Sequence, residues 1–246
     1  MIGGGQGAFI GAVHRIALRM DDAFELVAGC FGRDPENTRV TGEQLGIDPA
    51  RCYPSWEQMI NDEAKLPEDQ RIEAVSIVTP NHVHHGPAKA AMEAGFHVIC
   101  DKPLCISQEQ ADDLAATVSS TGKVFALTHN YCASPMVREA RERIASGDLG
   151  TIRKVYVEYL QGWLSEKLEE TGHKQADWRT DPERSGPVGS LGDIGTHAYQ
   201  LLEFVTAMKV TSIYAKLHTF VDGRALDDDD MVLLEMENGA TGTLCS

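Results

Sequence analysis

A carboxylate and an imidazole lie four residues apart in the segment GDIGTH, which contains Asp193 and His197. The apolar spacing that follows predicts a helix over Gly192–Phe204. Because residues four apart share one helix face, Asp193 would orient the ring of His197 and stabilise its charged form. With an unperturbed pKa of about 6.5, an imidazole suits general acid–base catalysis at neutral pH. By position alone, the pair also fits a helix cap or a surface ion pair.

A lysine at the end of an apolar run is the second candidate for chemistry. Lys102 follows His97–Cys100 in the tripeptide Asp101-Lys102-Pro103. An ammonium group there could polarise a substrate oxygen as that oxygen gains or loses negative charge. Pro103 fixes the turn, and a cis peptide bond is one option for it. By position alone, a solvated lysine is the alternative.

The chain opens with a glycine-rich segment, MIGGGQGAFIG. Glycines allow a tight turn from a strand into a helix and let backbone N–H groups approach a pyrophosphate. The spacing of Gly3, Gly5 and Ala8 fits G-x-G-x-x-[GA], whereas Gly11 and His14 indicate a helix that begins later, after extra loop residues. A flexible N-terminal segment is the alternative to a phosphate loop. The predicted phosphate loop comprises Gly3, Gly5, Gly7, Ala8, Phe9 and Ile10.

The end of the second predicted strand bears on which dinucleotide would bind. The residues there are Cys30-Phe31-Gly32-Arg33-Asp34. An arginine accommodates a ribose 2′-phosphate, whereas an acidic residue accepts hydrogen bonds from a 2′-hydroxyl. Arg33 after a small residue therefore favours NADP, and the adjacent Asp34 keeps NAD open. An exposed loop arginine without such a role is the alternative.

The first half of the chain alternates short apolar runs with helical patterns. Such alternation is typical of βαβ units around a parallel sheet. We therefore predict an α/β, Rossmann-type doubly wound domain over residues 1–129, with Ser107 as the N-cap of its last helix. The apolar runs are Glu25–Phe31, Ala74–Thr79, His97–Cys100 and Val124–Thr128, and the helical patterns are Gly11–Met20, Pro54–Ile60, Pro87–Ala94 and Ser107–Ser119.

The second half alternates apolar and polar residues more clearly, as strands with one solvent-facing side do. Residues 130–246 are therefore predicted to form an α+β domain with a mostly antiparallel sheet. The dipeptide Asn238-Gly239 predicts a hairpin. The acidic run Asp227–Asp230 is typical of a solvated turn between two strands, with a cation site as the alternative. The predicted strands include Ile152–Leu160, Ser212–Val221 and Met231–Met236.

Composition and charge disfavour several classes of protein. The 246 residues are 42% hydrophobic and carry 22 basic against 37 acidic side chains, for a formal charge of −15. This charge argues against nucleic acid and anionic membranes as partners, and no apolar stretch reaches the roughly 18 residues of a membrane span. The chain lacks a secretory signal and any C-x-x-C pair, so we expect a cytoplasmic location and reduced cysteines. Because little chain precedes Gly3 and the last strand ends at Ser246, truncation at both ends is expected.

Two motifs resemble those of the Gfo/Idh/MocA family, the glucose-fructose oxidoreductase and inositol dehydrogenase group. The segment TPNHVHHGPAKAAMEAGFHVICDKP, at Thr79–Pro103, combines T-P-N-x-x-H, an alanine-rich helix and the [ED]-K-P tripeptide, with Asp101 in place of the commoner Glu. GDIGTH resembles the family's G-D-x-G-x-H. Together with the glycine loop, the likeness covers nearly the whole chain.

The resemblance implies an N-terminal Rossmann domain that binds NAD(P) and a C-terminal domain whose open sheet carries the substrate site and often an oligomer interface. The implied activity is hydride transfer between the nicotinamide of NADP or NAD and a sugar, polyol or related hydroxy compound. A homo-oligomer with a small-molecule substrate is therefore expected. A non-catalytic dinucleotide-binding or regulatory protein on the same fold is the alternative.

The resemblance also implies roles for individual residues. Lys102, Asp193 and His197 would be catalytic and would meet the substrate over the reactive ring of the cofactor. The segment that lines the cofactor cleft is matched by Thr79, Pro80, Asn81 and His84, followed by Asp101 and Lys102.

Other side chains in the second half suit a polyhydroxylated ligand. Asn130 with Tyr131, and Trp178 with Arg179, combine stacking surface with hydrogen-bond donors. Tryptophans that anchor loops onto the core are the alternative. The histidines at 82, 84 and 85 suggest a metal, yet they cannot all converge without further ligands, and none lies nearby at zinc spacing. No metal is therefore expected.

Overall fold

The computed structural model describes all 246 residues and divides them into two compact units. The first unit spans Met1–Thr128 and the second spans His129–Ser246. No helix in the chain combines the length and the apolar character that crossing a bilayer requires.

The first unit is built on a parallel sheet of four strands in the order β1-β2-β3-β4. The predicted Rossmann-type α/β fold is confirmed, and fully buried side chains such as Val75, Ile77 and Val98 form its core. The strands are β1 (Ile2–Gly3), β2 (Ala74–Val78), β3 (His97–Cys100) and β4 (Phe125–Leu127), and the helices are α1 (Ile10–Arg19), α2 (Pro35–Leu45), α3 (Trp56–Glu63), α4 (His85–Glu93) and α5 (Gln108–Thr121).

Helix ends in this unit follow local capping chemistry. The side chain of Ser107 accepts the backbone N–H of Gln110, so the predicted N-cap of α5 is confirmed. Asp34 caps α2 in the same way, with Pro35 in its first turn. Both α2 and α5 end at a glycine in the left-handed region, a common stop signal for a helix.

The strand predicted over Glu25–Phe31 is wrong in extent. Only Gly29 and Cys30 form β-bridges to other segments of the protein. Cys30 pairs with Ile2, and Gly29 pairs with Cys52. The segment does lie at the sheet edge, because the N–H of Gly3 donates to the carbonyl of Cys30 at 2.8 Å. With β1 only two residues long, its edge offers too few partners for a full ladder.

The second unit contains a mixed sheet in the order β5-β8-β7-β6. Strands β5 and β8 are parallel and the other two pairings are antiparallel, so the predicted mostly antiparallel α+β unit is confirmed. The predicted hairpin at Asn238-Gly239 is also confirmed, since Gly239 has a φ of +83° and the N–H of Met236 donates to Ala240 at 2.8 Å. The elements are α6 (Pro135–Ala145), β5 (Lys154–Glu158), α7 (Lys174–Arg179), α8 (Pro182–Ser185), α9 (Thr196–Thr206), β6 (Val210–His218), β7 (Asp229–Met236) and β8 (Thr241–Cys245).

One face of this sheet packs against α9, where Ala198 and Leu202 meet Val232, Leu234 and Leu244. The opposite face is exposed and carries large side chains. Those exposed side chains are Tyr156, Tyr214, Met231 and Leu233.

The acidic run Asp227–Asp230 is not the solvated turn that its composition predicts. Asp227 and Asp230 are 8% and 2% exposed. The reason is that backbone and side-chain donors from other segments converge on these carboxylates, including the hydroxyl of Ser246 on Asp230.

Candidate functional site

The turn between β1 and α1 brings backbone segments into close contact. Gly3, Gly4 and Gly7 have φ values of +83°, +76° and +72°, which L side chains rarely adopt. Helix α1 begins at Ile10, so the loop contains more residues than the G-x-G-x-x-[GA] pattern, as expected. A Cβ on Gly11 would lie 2.4 Å from the Cα of Gly4. Helix α1 can therefore run directly against the turn only because both residues are glycine.

Sequence reasoning did not assign Gly4, Gly11 or Asn37 to this site. The Oδ1 of Asn37, on α2, accepts the N–H of Gln6 at 3.1 Å and so ties the loop to the neighbouring helix. The role of Gly11 could have been predicted from the sequence, because glycine is unfavourable inside a helix and occurs there where close packing requires it. No local signal pointed to Asn37, since 31 residues separate it from Gln6.

Helix α1 presents an uncapped N-terminus to this turn. Its N-cap, Phe9, makes no side-chain cap bond and is 67% exposed, while the N–H of Ala8 donates to Gly5 within the turn. The hydroxyl of Thr79, at the end of β2, is buried without a hydrogen-bond partner. A glycine cradle, free helix N–H groups and a buried hydroxyl fit the pyrophosphate of a dinucleotide.

The residues expected to select the dinucleotide have different surroundings. The Oδ1 of Asp34 accepts the N–H of Glu36 at 3.0 Å, so this carboxylate caps α2. Arg33 is exposed.

The Asp101-Lys102-Pro103 turn follows β3 and has a cis peptide bond between Lys102 and Pro103. The hydroxyl of Thr128 donates to Oδ1 of Asp101 at 2.9 Å, and Nε2 of the buried His14 lies 3.7 Å from the same oxygen. Burial opposes ionisation of this carboxyl, yet the nearby His14 ring and the hydrogen bond from Thr128 leave the pKa of Asp101 below its usual value. The side chain next to Lys102 is therefore a fixed carboxylate.

His84 links this turn to the end of β2. Its Nδ1 lies 2.8 Å from the carbonyl oxygen of Pro103 and its Nε2 lies 2.9 Å from that of Thr79. Burial lowers the pKa of His84, against the contacts with these two oxygens, which raise it. Pro80 and the buried Asn81 lie between Thr79 and His84 in the sequence. The predicted cofactor-cleft segment Thr79–His84 is therefore connected to the Asp101-Lys102-Pro103 turn.

The histidines that suggest a metal site by sequence have separate surroundings. His84 contacts backbone carbonyl oxygens, whereas Nε2 of His85 lies 2.7 Å from Oδ2 of Asp113 on α5. The structure contains no group of three or more His, Cys, Asp and Glu side chains arranged to hold a metal ion.

In the second unit, the GDIGTH segment begins a helix, as predicted. Its first turn, Leu191–Gly195, is a π-helix that continues into α9. Such turns are rare and often occur at functional sites. Asp193 lies within the π-turn and His197 in the first turn of α9.

Asp193 pairs with an arginine held between tryptophans. The Nε of Arg179 donates to Oδ2 of Asp193 at 3.1 Å, and both side chains are largely buried. The guanidinium carbon of Arg179 lies 4.2 Å from the ring centroid of Trp178 and 5.7 Å from that of Trp163. The sequence prediction named Trp178 and Arg179 but missed Trp163, which comes just after β5 and carries no motif.

The ring of His197 is surrounded by three others. Its centroid lies 4.9 Å from that of Tyr131, 5.7 Å from that of His129 and 6.0 Å from that of Tyr159. The hydroxyl oxygens of Tyr131 and Tyr159 are 2.5 Å apart, and this hydrogen bond, with burial, raises the pKa of Tyr131 to about 12. Asn130, another predicted substrate residue, is exposed and precedes Tyr131 in the chain.

A concave pocket in the second unit is lined in part by the Arg179–Asp193 pair and Trp163. It presents two aromatic rings, an ion pair and short polar side chains, a combination that suits a ligand with several hydroxyl groups. Its lining includes Gln161, Trp163, Arg179, Ser190, Asp193 and Phe220.

Comparison with protein families gives two matches that together span nearly the whole chain. The family model described as "Oxidoreductase family, NAD-binding Rossmann fold" matches residues 1–129. The one described as "GFO/IDH/MocA C-terminal domain" matches residues 137–246. The resemblance drawn from the two sequence motifs is confirmed.

Individual relatives are similar over the same extent. An uncharacterised oxidoreductase, YfiI, of Bacillus subtilis (strain 168) is 39% identical over 99% of this chain and 62% of its own length. A levoglucosan dehydrogenase of Pseudarthrobacter phenanthrenivorans is 28% identical over 99% of this chain and 65% of its own length.

The crystal structure of an inositol dehydrogenase homologue from Azotobacter vinelandii with NAD+ matches at a TM-score of 0.96 and 40% identity, covering 100% of this chain and 63% of that one. Its complex with NADH and myo-inositol matches at 0.92 and 39% identity, covering 100% of this chain and 62% of that one. This chain thus spans less than two thirds of the length of these relatives.

Proposed function

We propose that this chain, which belongs to the GFO/IDH/MocA oxidoreductase family, catalyses NAD(P)-dependent hydride transfer at a CH–OH carbon of a sugar, polyol or related compound. The observation that carries the proposal is the glycine turn, where Gly4 and Gly11 bring an uncapped helix against the end of β1. Such a turn is suited to hold a pyrophosphate.

The first unit would hold the dinucleotide. Backbone N–H groups near Gly7, Phe9 and Ile10 would bind the pyrophosphate, and the hydroxyl of Thr79 would gain the partner that it lacks in the protein. When bound, the nicotinamide ring supplies the acceptor or donor of the hydride. The backbone that carries Lys102 is held on both sides, by the bonds to Asp101 and by the contact of His84 with Pro103.

The second unit would supply the proton chemistry. The imidazole of His197 would remove the hydroxyl proton as the alcohol is oxidised and return it in the reverse direction. Asp193, which accepts from Arg179, would stabilise the positive charge that develops on His197. The ammonium of Lys102 would stabilise negative charge on the substrate oxygen.

Cyclic polyols are the substrate class that we favour. The relatives include a levoglucosan dehydrogenase and an inositol dehydrogenase homologue crystallised with myo-inositol. The pocket in the second unit offers Trp163 as a stacking surface, with Gln161 and Ser190 as hydrogen-bonding groups.

The test combines cofactor binding with turnover. Nicotinamide fluorescence is titrated with NADH and with NADPH, and a panel of cyclic polyols that includes myo-inositol and levoglucosan is then followed at the nicotinamide absorbance band. We expect Lys102→Ala to lower kcat about 1,000-fold while cofactor affinity changes less than about threefold. Lys89→Ala is the matched control, because Lys89 pairs with Asp113 on the surface of α4 and α5.

Arg33 is tested in the same titrations. If it accommodates a 2′-phosphate, Arg33→Ala weakens NADPH binding about tenfold or more and leaves NADH binding unchanged. Cofactor binding by the wild type without turnover of any polyol in the panel would contradict the proposed reaction and favour a non-catalytic dinucleotide-binding protein.

A further inference from the structure

The acidic run Asp227–Asp230, which leads into β7, contains a carboxylate that binds the start of the GDIGTH helix. The Oδ1 of Asp227 accepts the N–H of Gly189 at 2.6 Å, and its Oδ2 accepts the N–H of Leu191 at 2.9 Å. The backbone carbonyl of Asp227 accepts the N–H of the residue between them, Ser190, at 3.0 Å. One buried residue therefore holds three successive amides.

These amides are donors that a helix start leaves without intrahelical partners. In this chain the residue at the N-cap position, Ser190, makes no side-chain cap bond, so the capping acceptor comes from a segment 36 to 38 residues away. The approach is close: a Cβ on Gly189 would lie 2.1 Å from the carbonyl oxygen of Asp227.

The capped turn is the one that carries Asp193. The N–H of Asp193 donates to the carbonyl of Gly189 at 2.9 Å. A shift of the Gly189 backbone would therefore move the backbone of Asp193. The side chain of Asp193 then accepts from Arg179. A chain of hydrogen bonds thus runs from Asp227 through the Gly189 backbone to the Asp193–Arg179 pair.

The neighbouring carboxylate shows that this contact is specific to Asp227. Asp228 accepts the N–H groups of Phe220 and Val221 at 2.7 and 2.9 Å, and so binds the turn after β6. Adjacent acidic residues therefore bind different segments.

We infer that Asp227 is a positioning residue for the reaction, which sets the π-turn so that Asp193 and His197 keep their reactive orientation. The inference rests on the proposed function for its catalytic consequence. Both oxygens of Asp227 are needed, because each accepts a different backbone N–H. An amide in its place would accept one N–H and direct its own N–H₂ group at the other.

The experiment compares Asp227→Asn with Asp181→Asn. Asp181 also caps a helix, but only its Oδ1 accepts, from the N–H of Glu183, so an amide can replace it. We expect Asp227→Asn to lower kcat/KM for the polyol about 100-fold, since a displacement of about 1 Å can cost that much. We expect cofactor affinity to be unchanged, and Asp181→Asn to stay within about threefold of wild type.

A spectroscopic signal separates this inference from the proposed function. The Nε–H of Arg179 donates to Asp193, so its ¹H–¹⁵N resonance reports on that pair whether or not the chain turns over a polyol. We expect this resonance to shift in Asp227→Asn and to stay in place in Asp181→Asn. An unchanged resonance in folded Asp227→Asn would overturn the inference, as would wild-type kcat and KM in an active enzyme. If Asp227→Asn does not fold, Asp227→Glu is measured against the same criteria, because its extra methylene group moves both oxygens away from the positions that the N–H groups of Gly189 and Leu191 require.

Discussion

At the scale of single residues, Asp101 shows how the first unit keeps a carboxylate ionised beside the candidate catalytic lysine. Its Oδ1 receives the hydroxyl of Thr128 at 2.9 Å and lies 3.7 Å from the ring of His14. These contacts lower the pKa of Asp101 although burial acts in the opposite direction. A group whose pKa is lowered by folding stabilises the protein above its unfolded pKa and loses that contribution as the pH falls.

Asp101→Asn is therefore expected to be destabilising at neutral pH but less so in acid. At pH 7 we expect a loss of about 1–3 kcal/mol in the free energy of unfolding, because the charged acceptor of the Thr128 bond is removed. The difference from wild type should narrow as the pH falls below the unfolded value of 3.8 towards the lowered folded pKa. Urea unfolding at a series of pH values measures it.

The control for this measurement is Asp112→Asn, which changes an exposed carboxylate on α5 that accepts from Gln108. Its stability should follow that of the wild type at every pH. A gap between wild type and Asp101→Asn that stays constant down to acid pH would show that Asp101 does not act through its charge.

At the scale of elements, the packing of α1 on the glycine turn depends on the second residue of the helix. Gly11 holds that position in α1, and Gly86 holds it in α4. A Cβ on Gly11 would lie 2.4 Å from Gly4, whereas a Cβ on Gly86 would lie 3.5 Å from the Trp56 ring, an ordinary contact distance. The two glycines therefore have opposite tolerance for a methyl group.

Gly11→Ala is expected to lose stability and cofactor binding together. Alanine favours a helix by about 1 kcal/mol over glycine, but the clash with Gly4 should outweigh this, as overpacking costs about 1–3 kcal/mol. NADH affinity should fall about tenfold or more, because α1 must move away from the turn that binds the pyrophosphate. Gly86→Ala should be neutral or stabilising in the same urea and fluorescence titrations. Wild-type NADH affinity in Gly11→Ala would refute the role given to this contact.

Elements whose signals are local could be predicted from the sequence. The Ser107 cap of α5 and the Asn238-Gly239 hairpin each depend on a few consecutive residues. The strand over Glu25–Phe31 was overestimated because its apolar composition says nothing of how short its partner β1 is. The roles of the acidic run were missed for a similar reason. Asp227 binds amides 36 to 38 residues away, and no spacing rule connects them.

In the candidate site, too, features with a local sequence signal could be predicted and long-range contacts could not. Motifs pointed to Lys102, Asp193 and His197, but the residues that contact them come from segments distant in the sequence. Trp163 meets Arg179 only because the segment after β5 folds against α7. The sequence could therefore name reactive groups, whereas the groups that hold them required the structure.

At the scale of the whole molecule, the exposed face of the second sheet carries a row of large side chains. Strand register places Tyr156 opposite Thr243, Thr243 opposite Leu233, and Leu233 opposite Tyr214, so these four form one row across all four strands. Tyr156 and Tyr214 are each 68% exposed and Leu233 is 51% exposed. Contiguous exposed apolar surface of this kind commonly marks an interface.

We expect the protein to form a symmetric homo-oligomer through this face, and Leu233→Glu to dissociate it. In a two-fold interface the substituted side chain occurs on both subunits, so burying it would leave carboxylates without partners. The matched control is Leu149→Glu, because Leu149 is 63% exposed but lies in the loop between α6 and β5. Sedimentation velocity should show the wild type and Leu149→Glu as oligomers and Leu233→Glu as a monomer with unchanged circular dichroism. A monomeric wild type, or a Leu233→Glu variant with the wild-type mass, would rule out this face as the contact surface.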